Sequence, residues 1–154
     1  MHYVSVDRLE DFEFHDGKFV LESLGDHHLT VNASFLNIHK TAEQNPFDTD
    51  MEIANARITF REFCLQSYES VRPRNQDGTY DMPQVVLWAD EARSCFRRQL
   101  EAGITVFDLG IFDGATHYLD ALGQDPFFTV RFTFDSVVIE WDDYKKEAWY
   151  ESLR

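Results

Sequence analysis

The sequence predicts an α+β fold, mainly antiparallel β-sheet built from hairpins, with one internal helix near residues 90–102 and a C-terminal helix near 142–152. Three observations carry this expectation. Much of the aromatic content (14 Phe, 6 Tyr and 3 Trp) lies in stretches that alternate with period two, the pattern of strands with one buried face. Turn chemistry of the Asp-Gly and Gly-Asp kind separates those stretches. Inside the chain, the segment after Asp90 repeats its apolar residues at helical spacing and then meets a glycine.

Taken in order, Lys18 to Leu24 and Leu29 to Ile38 flank Gly25-Asp26-His27-His28 and form a hairpin, with Leu29, Val31, Ala33 and Phe35 on one face. Residues 41–50 are polar, aperiodic and interrupted by Pro46, which makes them an exposed connection. A strand begins near Ile53. From Ala56 the apolar positions run Ala56, Ile58, Phe60 and then change phase after Arg61-Glu62 to Phe63 and Leu65, which calls for a bulge or a bend. Residues 72–82 hold Pro73, Asn75, Asp77 and Gly78 and form a second loop.

Asp90 is the expected N-cap of the internal helix, Ala92, Cys95, Phe96 and Leu100 its buried stripe, and Gly103 its stop. Ile104 to Phe112 and Ala115 to Leu122 make a hairpin about Asp113-Gly114, with a short helix at 118–122 as the alternative. Phe128, Val130, Phe132 and Phe134 alternate cleanly, and Val137, Ile139 and Trp141 resume after a tight turn or bulge at Asp135-Ser136. Asp142 or Asp143 caps the expected C-terminal helix, which carries Tyr144, Ala148 and Trp149. A chain of 154 residues without repeats or composition breaks is one domain, 1–154, because about 150 residues bury roughly 68–70% of their unfolded surface around one core.

Charge bounds the partners. The formal net charge is −14, spread evenly, with 7 basic and 14 acidic residues in each of 1–77 and 78–154. Such a field repels phosphate backbones, and Arg93, Arg97 and Arg98 are too small a cluster to reverse it, so no nucleic acid is expected. Apolar runs such as Val85-Val86-Leu87-Trp88 are far shorter than the roughly 20 residues of a membrane span, and no secretory layout opens the chain. No membrane association and a cytoplasmic location are the expectations. Cys64 and Cys95 are neither a disulfide framework nor a metal pair.

Chemistry has few places to assemble. His15-Asp16-Gly17 reads as a turn whose His and Asp could alternatively join His27 or His28 in a small metal-dependent hydrolase. His27 and His28 are adjacent, so on a strand they point to opposite faces and chelate poorly. Asp48-Thr49-Asp50 is a solvated acidic pair, and the carboxylates of Asp108, Asp113, Asp120 and Asp125 have no separation readable from sequence. No catalytic residue and no cofactor is assigned. Phe47, Asp48 and Asp50 in the first loop and Tyr80 and Asp81 in the second are the candidate partner contacts, since aromatics in polar loops can anchor a partner.

The stretch Phe14-His15-Asp16-Gly17-Lys18-Phe19, the hairpin after it, and the ending Phe134-Asp135-Ser136-Val137-Val138-Ile139-Glu140-Trp141 resemble small, acidic, uncharacterised bacterial domains of the toxin-immunity type. The resemblance covers the two ends of the chain and carries no functional residue with it. It implies a partner-binding role, and together with the acidic surface it gives the expectation of a non-enzymatic interaction module that occludes a basic protein partner with that surface or with loops 41–50 and 72–82. The alternatives are the His15/Asp16 hydrolase and a small-ligand-binding domain.

Overall fold

Two long runs of alternating residues, 56–70 and 128–141, pair along their length and bend together, and that shared bend organises the fold. The computed structural model describes residues 2–112, 116–122 and 128–154. In chain order its strands begin with β1 (Tyr3–Val6), β2 (Phe12–Glu13), β3 (Lys18–Leu24), β4 (His28–Ser34), β5 (Asn37–Ile38), β6 (Met51–Ala54) and β7 (Ala56–Arg61). They continue with β8 (Cys64–Ser70), β9 (Val86–Trp88), β10 (Ile104–Phe112), β11 (Thr116–Leu122), β12 (Phe128–Thr133), β13 (Ser136–Trp141) and β14 (Asp143–Glu147). One α-helix, α1 (Ala89–Ala102), lies between β9 and β10.

In the ribbon, Arg57 faces Glu140 and Arg61 faces Ser136; past the bend Cys64 faces Thr133 and Ser70 faces Phe128. Glu62 takes a positive φ of 53° at the corner, a conformation that costs a non-glycine residue about 1 kcal/mol or more. The Asp135 N–H donates to the Arg61 carbonyl across the same corner at 3.0 Å. β7 has β4 on its other side, β12 has β11, and β4, β3, β10 and β11 pair in succession between them. The ten-strand sheet therefore closes on itself through the ribbon, with β1 and β9 as flaps at its two ends. The seam between β3 and β10 is narrow, and Asp16 N to Val106 O (2.9 Å) and Val106 N to Gly17 O (2.6 Å) extend it.

The phase change at 61–63 is thus a bend between two strands. Asp135-Ser136 is neither a hairpin turn nor a bulge within one strand: β12 pairs β8, β13 pairs β7, and the two do not pair with each other. The rings that alternation assigns to the core meet inside the barrel. Phe60 packs edge-on against Phe132 and Phe134 at centroid distances of 5.4 and 4.9 Å, and Phe63 lies 5.1 Å from Phe132.

Helix α1 packs on β8, β3 and β9 and presents Ala92, Phe96 and Leu100, all fully buried, with Phe96 stacked on Phe63. It begins one residue before the expected span, and Asp90 lies in its first turn rather than at the cap, where Trp88 stands without a capping side chain. Gly103 ends it at φ 98°, donating to the Gln99 and Leu100 carbonyls. Arg97 pairs with Glu101 at 3.1 Å and Arg93 donates to the Gly25 carbonyl, so neither belongs to a phosphate-binding row.

A second, four-strand sheet in the order β14-β6-β5-β2 lies beside the barrel. It corrects the expected C-terminal helix: residues 143–147 are β14, paired to β6 with Tyr144 opposite Ile53, and 149–153 form only a 3-10 turn. A helix there would leave the β6 edge without a hydrogen-bonding partner, and pairing outweighs local propensity. The β4 alternation also stops early. Phe35 has a φ of 58° and is half exposed, while Leu36 turns inward and β5 passes to the small sheet. In the hairpin of β10 and β11, Phe112 faces Thr116, and residues 118–122 are strand rather than helix. The expected Asp113-Gly114 turn, and Asp125, lie outside the described residues, as does the side chain of Asp120.

Candidate functional site

The first loop is not the solvated connection its composition suggests. Asn45 is buried and its side-chain amide donates to the His39 and Thr49 carbonyls at 3.2 and 3.0 Å, which pulls the loop into a closed turn. At its end Asp50 is only 2% exposed, the reverse of a partner-facing carboxylate. Its Oδ1 accepts from the Lys40 N–H at 2.8 Å, and its Oδ2 accepts from the Tyr150 hydroxyl at 2.7 Å and pairs with His39 Nδ1 at 2.9 Å. Arg154 stands 3.7 Å from the same oxygen, and the Asp50 N–H donates to Glu151 at 3.0 Å. Burial pushes the Asp50 carboxyl up, but the hydrogen bonds from Tyr150, His39 and the Lys40 N–H outweigh it and hold the group below the ordinary carboxylate range. Burial and the neighbouring Asp50 charge raise the Tyr150 phenol.

This network opens on a cleft of about 510 Å³ lined by Glu13, His15, His39, Asp108, Phe107 and Trp149 together with Asp50, Tyr150 and Arg154. His39 has its Nδ1 held by a buried carboxylate while its ring is 30% exposed toward the cleft, the orientation a general base needs. Cys64 lies on β8 and Cys95 on α1, and neither lines the cleft. A second cleft, about 540 Å³, is lined by Asp7, Leu9, Glu10, Leu109, His117 and Phe134. There Asp7 accepts from the Val137 N–H and His117 stacks on Phe134 with centroids 4.2 Å apart, so both polar groups serve packing.

The second candidate region is residues 71–88. Arg72 donates to the Met82 carbonyl at 2.8 Å and holds its guanidinium 3.7 Å above the Tyr80 ring. Asn75 bonds Thr79 and Asp81, and Gln84 bonds Glu69 and the Ser70 carbonyl. These bonds preorganise a loop that displays apolar side chains outward. Of the fourteen large apolar side chains exposed among the described residues, six fall here: Val71, Tyr80, Met82, Val85, Val86 and Trp88. Trp88, 67% exposed, also walls a groove of about 330 Å³ at β8 and β12, beside Ser67, Glu69 and Arg131.

The structure separates the residues singled out from sequence. His15 and Asp16 sit in a tight turn closed by Gly17 N to Phe14 O at 2.9 Å, with His15 Nδ1 3.2 Å from Asp16. His15 reaches the first cleft, whereas His28 bonds Ser23 at the hairpin tip and His27 gives its carbonyl to Phe63 N–H. Among the described residues no group of three or more His, Cys, Asp or Glu has metal-holding geometry. Phe47 folds back edge-on against Tyr144 at 5.4 Å, Asp48 is exposed, and Tyr80 and Asp81 stay on the surface of the second loop. What the sequence did not disclose is the joining of His39, Asp50, Tyr150 and Arg154. Residues 142–152 read as a helix conceal that encounter. Trp88 was visible only as the end of an apolar run.

A barrel closed by a bent two-stranded ribbon, plugged by one helix and extended by a four-strand sheet, is the structural class these elements define. Comparison of the chain with protein-family models, with curated proteins and with solved structures finds no match. Among the described residues no helix is long and apolar enough to cross a membrane.

Proposed function

We propose that the protein is a non-enzymatic interaction module that covers a basic protein partner with the surface of residues 71–88, in the manner of an immunity protein. The single observation that carries the reading is the gathering of Val71, Tyr80, Met82, Val85, Val86 and Trp88 on one preorganised loop and edge strand of an otherwise strongly acidic molecule. Apolar side chains that fold alone would bury mark association surfaces when they cluster, and a loop already held in shape loses little entropy on binding. Trp88, beside its groove, and Tyr80, braced by Arg72, are the aromatic anchors. The −14 charge attracts a cationic partner from a distance and raises its association rate.

The test is a photo-crosslinking residue placed at Trp88, with a second at Val4 as a control surface, followed by purification of the crosslinked protein and its titration against the unmodified chain. A basic protein captured from position 88 alone, bound with an association rate that falls as salt rises, is the expected result. Salt-insensitive association removes the steering argument, and equal capture from both positions removes the surface assignment.

A further inference from the structure

We propose that the cleft at His39 and Asp50 is a binding site for a guanidinium group, separate from the surface of residues 71–88, with which it shares no residue. Its charge is the first ground. Two carboxylates, Glu13 and Asp50, line it with a single permanent cation, Arg154, so the cleft is a negative well even within an acidic protein.

Its walls are the second ground. Phe107 and Trp149 are 55% and 54% exposed, both border this cleft, and the fold buries neither of them elsewhere. Large aromatic side chains left in water beside carboxylates are what a planar organic cation requires: a ring face to stack on and an oxygen pair to bond. His15 leans on Phe107 with centroids 5.6 Å apart and stiffens that wall. Tyr150 forms the inner wall, its hydroxyl fixed to Asp50.

The third ground is an occupant the chain already supplies. The Arg154 guanidinium lies 5.5 Å over the Tyr150 ring, 3.3 Å from Glu151 and 3.7 Å from buried Asp50. A guanidinium, an aromatic face and a buried carboxylate are thus assembled in the cleft. The same lining holds a second set of these components, with Phe107 and Trp149 as faces and Glu13 as carboxylate. A ligand guanidinium stacks on the two exposed rings and pairs with Glu13, with Arg154 as the repelling neighbour that limits its affinity.

The test titrates the full chain, labelled with ¹⁵N, with N-acetyl-arginine amide and with its neutral isostere N-acetyl-citrulline amide. The indole N–H of Trp149, assigned by Trp149→Phe, reports the cleft; those of Trp88 and Trp141 serve as references. The expected result is a saturable shift confined to Trp149 and at least tenfold weaker with citrulline. Glu13→Gln should weaken binding threefold or more, and Arg154→Gln should tighten it by a similar factor. Thermal melts of both variants establish that they fold, and Phe107→Ala, which removes an exposed wall and keeps the Trp149 reporter, tests the site if either does not. Free arginine and a Gly-Gly-Arg-Gly-Gly peptide identify the source: tighter binding of the first assigns a metabolite, of the second a protein side chain. Equal binding of citrulline, shifts shared by all three indoles, or unchanged affinity in both Phe107→Ala and Arg154→Gln overturns the proposal.

Discussion

Removing the Asp50 carboxylate should release the C-terminal turn and lower the stability of the whole chain. Its two oxygens serve three donors, Lys40 N–H, His39 and the Tyr150 hydroxyl, from a position that water does not reach. In Asp50→Ala all three lose their acceptor, and breaking a buried charged network of this kind costs about 3–5 kcal/mol. Asp50→Asn keeps one acceptor. With its oxygen toward His39 and Tyr150, its amide N–H₂ meets the Lys40 N–H donor to donor, so one charge-assisted bond is lost at about 1.5–3 kcal/mol. For a chain of this size each kcal/mol moves the midpoint by roughly 2–4 °C, so Asp50→Asn should melt about 3–12 °C lower. Urea unfolding followed by tryptophan fluorescence reads the free energy, and limited proteolysis after Ala148 reads release of the turn. A loss below about 1 kcal/mol in Asp50→Ala, with an unchanged slope in urea, would show that Asp50 does not hold the C-terminal segment and would refute the reasoning.

The other predictions concern the same network, the bend and the helix stop. Because the folded Asp50 pKa lies below its unfolded value of 3.8, its stabilisation is complete above that value and is lost as pH falls through the folded pKa; acid unfolding of Asp50→Asn should be correspondingly shallower. Phe60→Ala should cost about 3–5 kcal/mol, since the ring is fully buried against Phe132 and Phe134, and urea midpoints measure it. Glu62→Gly should leave stability unchanged or raise it by up to about 1 kcal/mol, because it removes the positive-φ cost that Glu62 already bears, and Glu62→Val should lower it, because a β-branched residue is restricted there further. Gly103→Ala should cost about 1–3 kcal/mol by melting, with φ at 98° and the new Cβ 2.7 Å from Lys18 Cε.

Strand content was legible where the alternation is one-sided. Phe128, Val130, Phe132 and Phe134 are all buried, and Ala56, Ile58 and Phe60 likewise. The phase change at Glu62 pointed to a bend, yet nothing local reveals that residues 134–135 bend with it, because the shared corner exists only once the two runs pair. The four-strand sheet was hidden for a similar reason: Asp143–Glu147 has the composition of a helix start and becomes a strand only beside β6. That misreading also concealed the cleft, since Tyr150 and Arg154 reach Asp50 through it. Asp50 illustrates the limit of composition, because an aspartate in a polar loop reads as solvated until three donors surround it. Residues 72–82 were recognisable as a loop, while the exposure of Val86 and Trp88 beside it depended on β9 lying at the end of the sheet order.

The most direct measurement is the equilibrium affinity of the partner captured at position 88 for the wild-type chain and for Trp88→Ala. Truncating a central aromatic anchor costs about 2–4 kcal/mol, so the variant should bind roughly 30- to 1,000-fold more weakly while its melting temperature stays within about 1 °C. Equal affinity of the two chains for that partner would contradict the account.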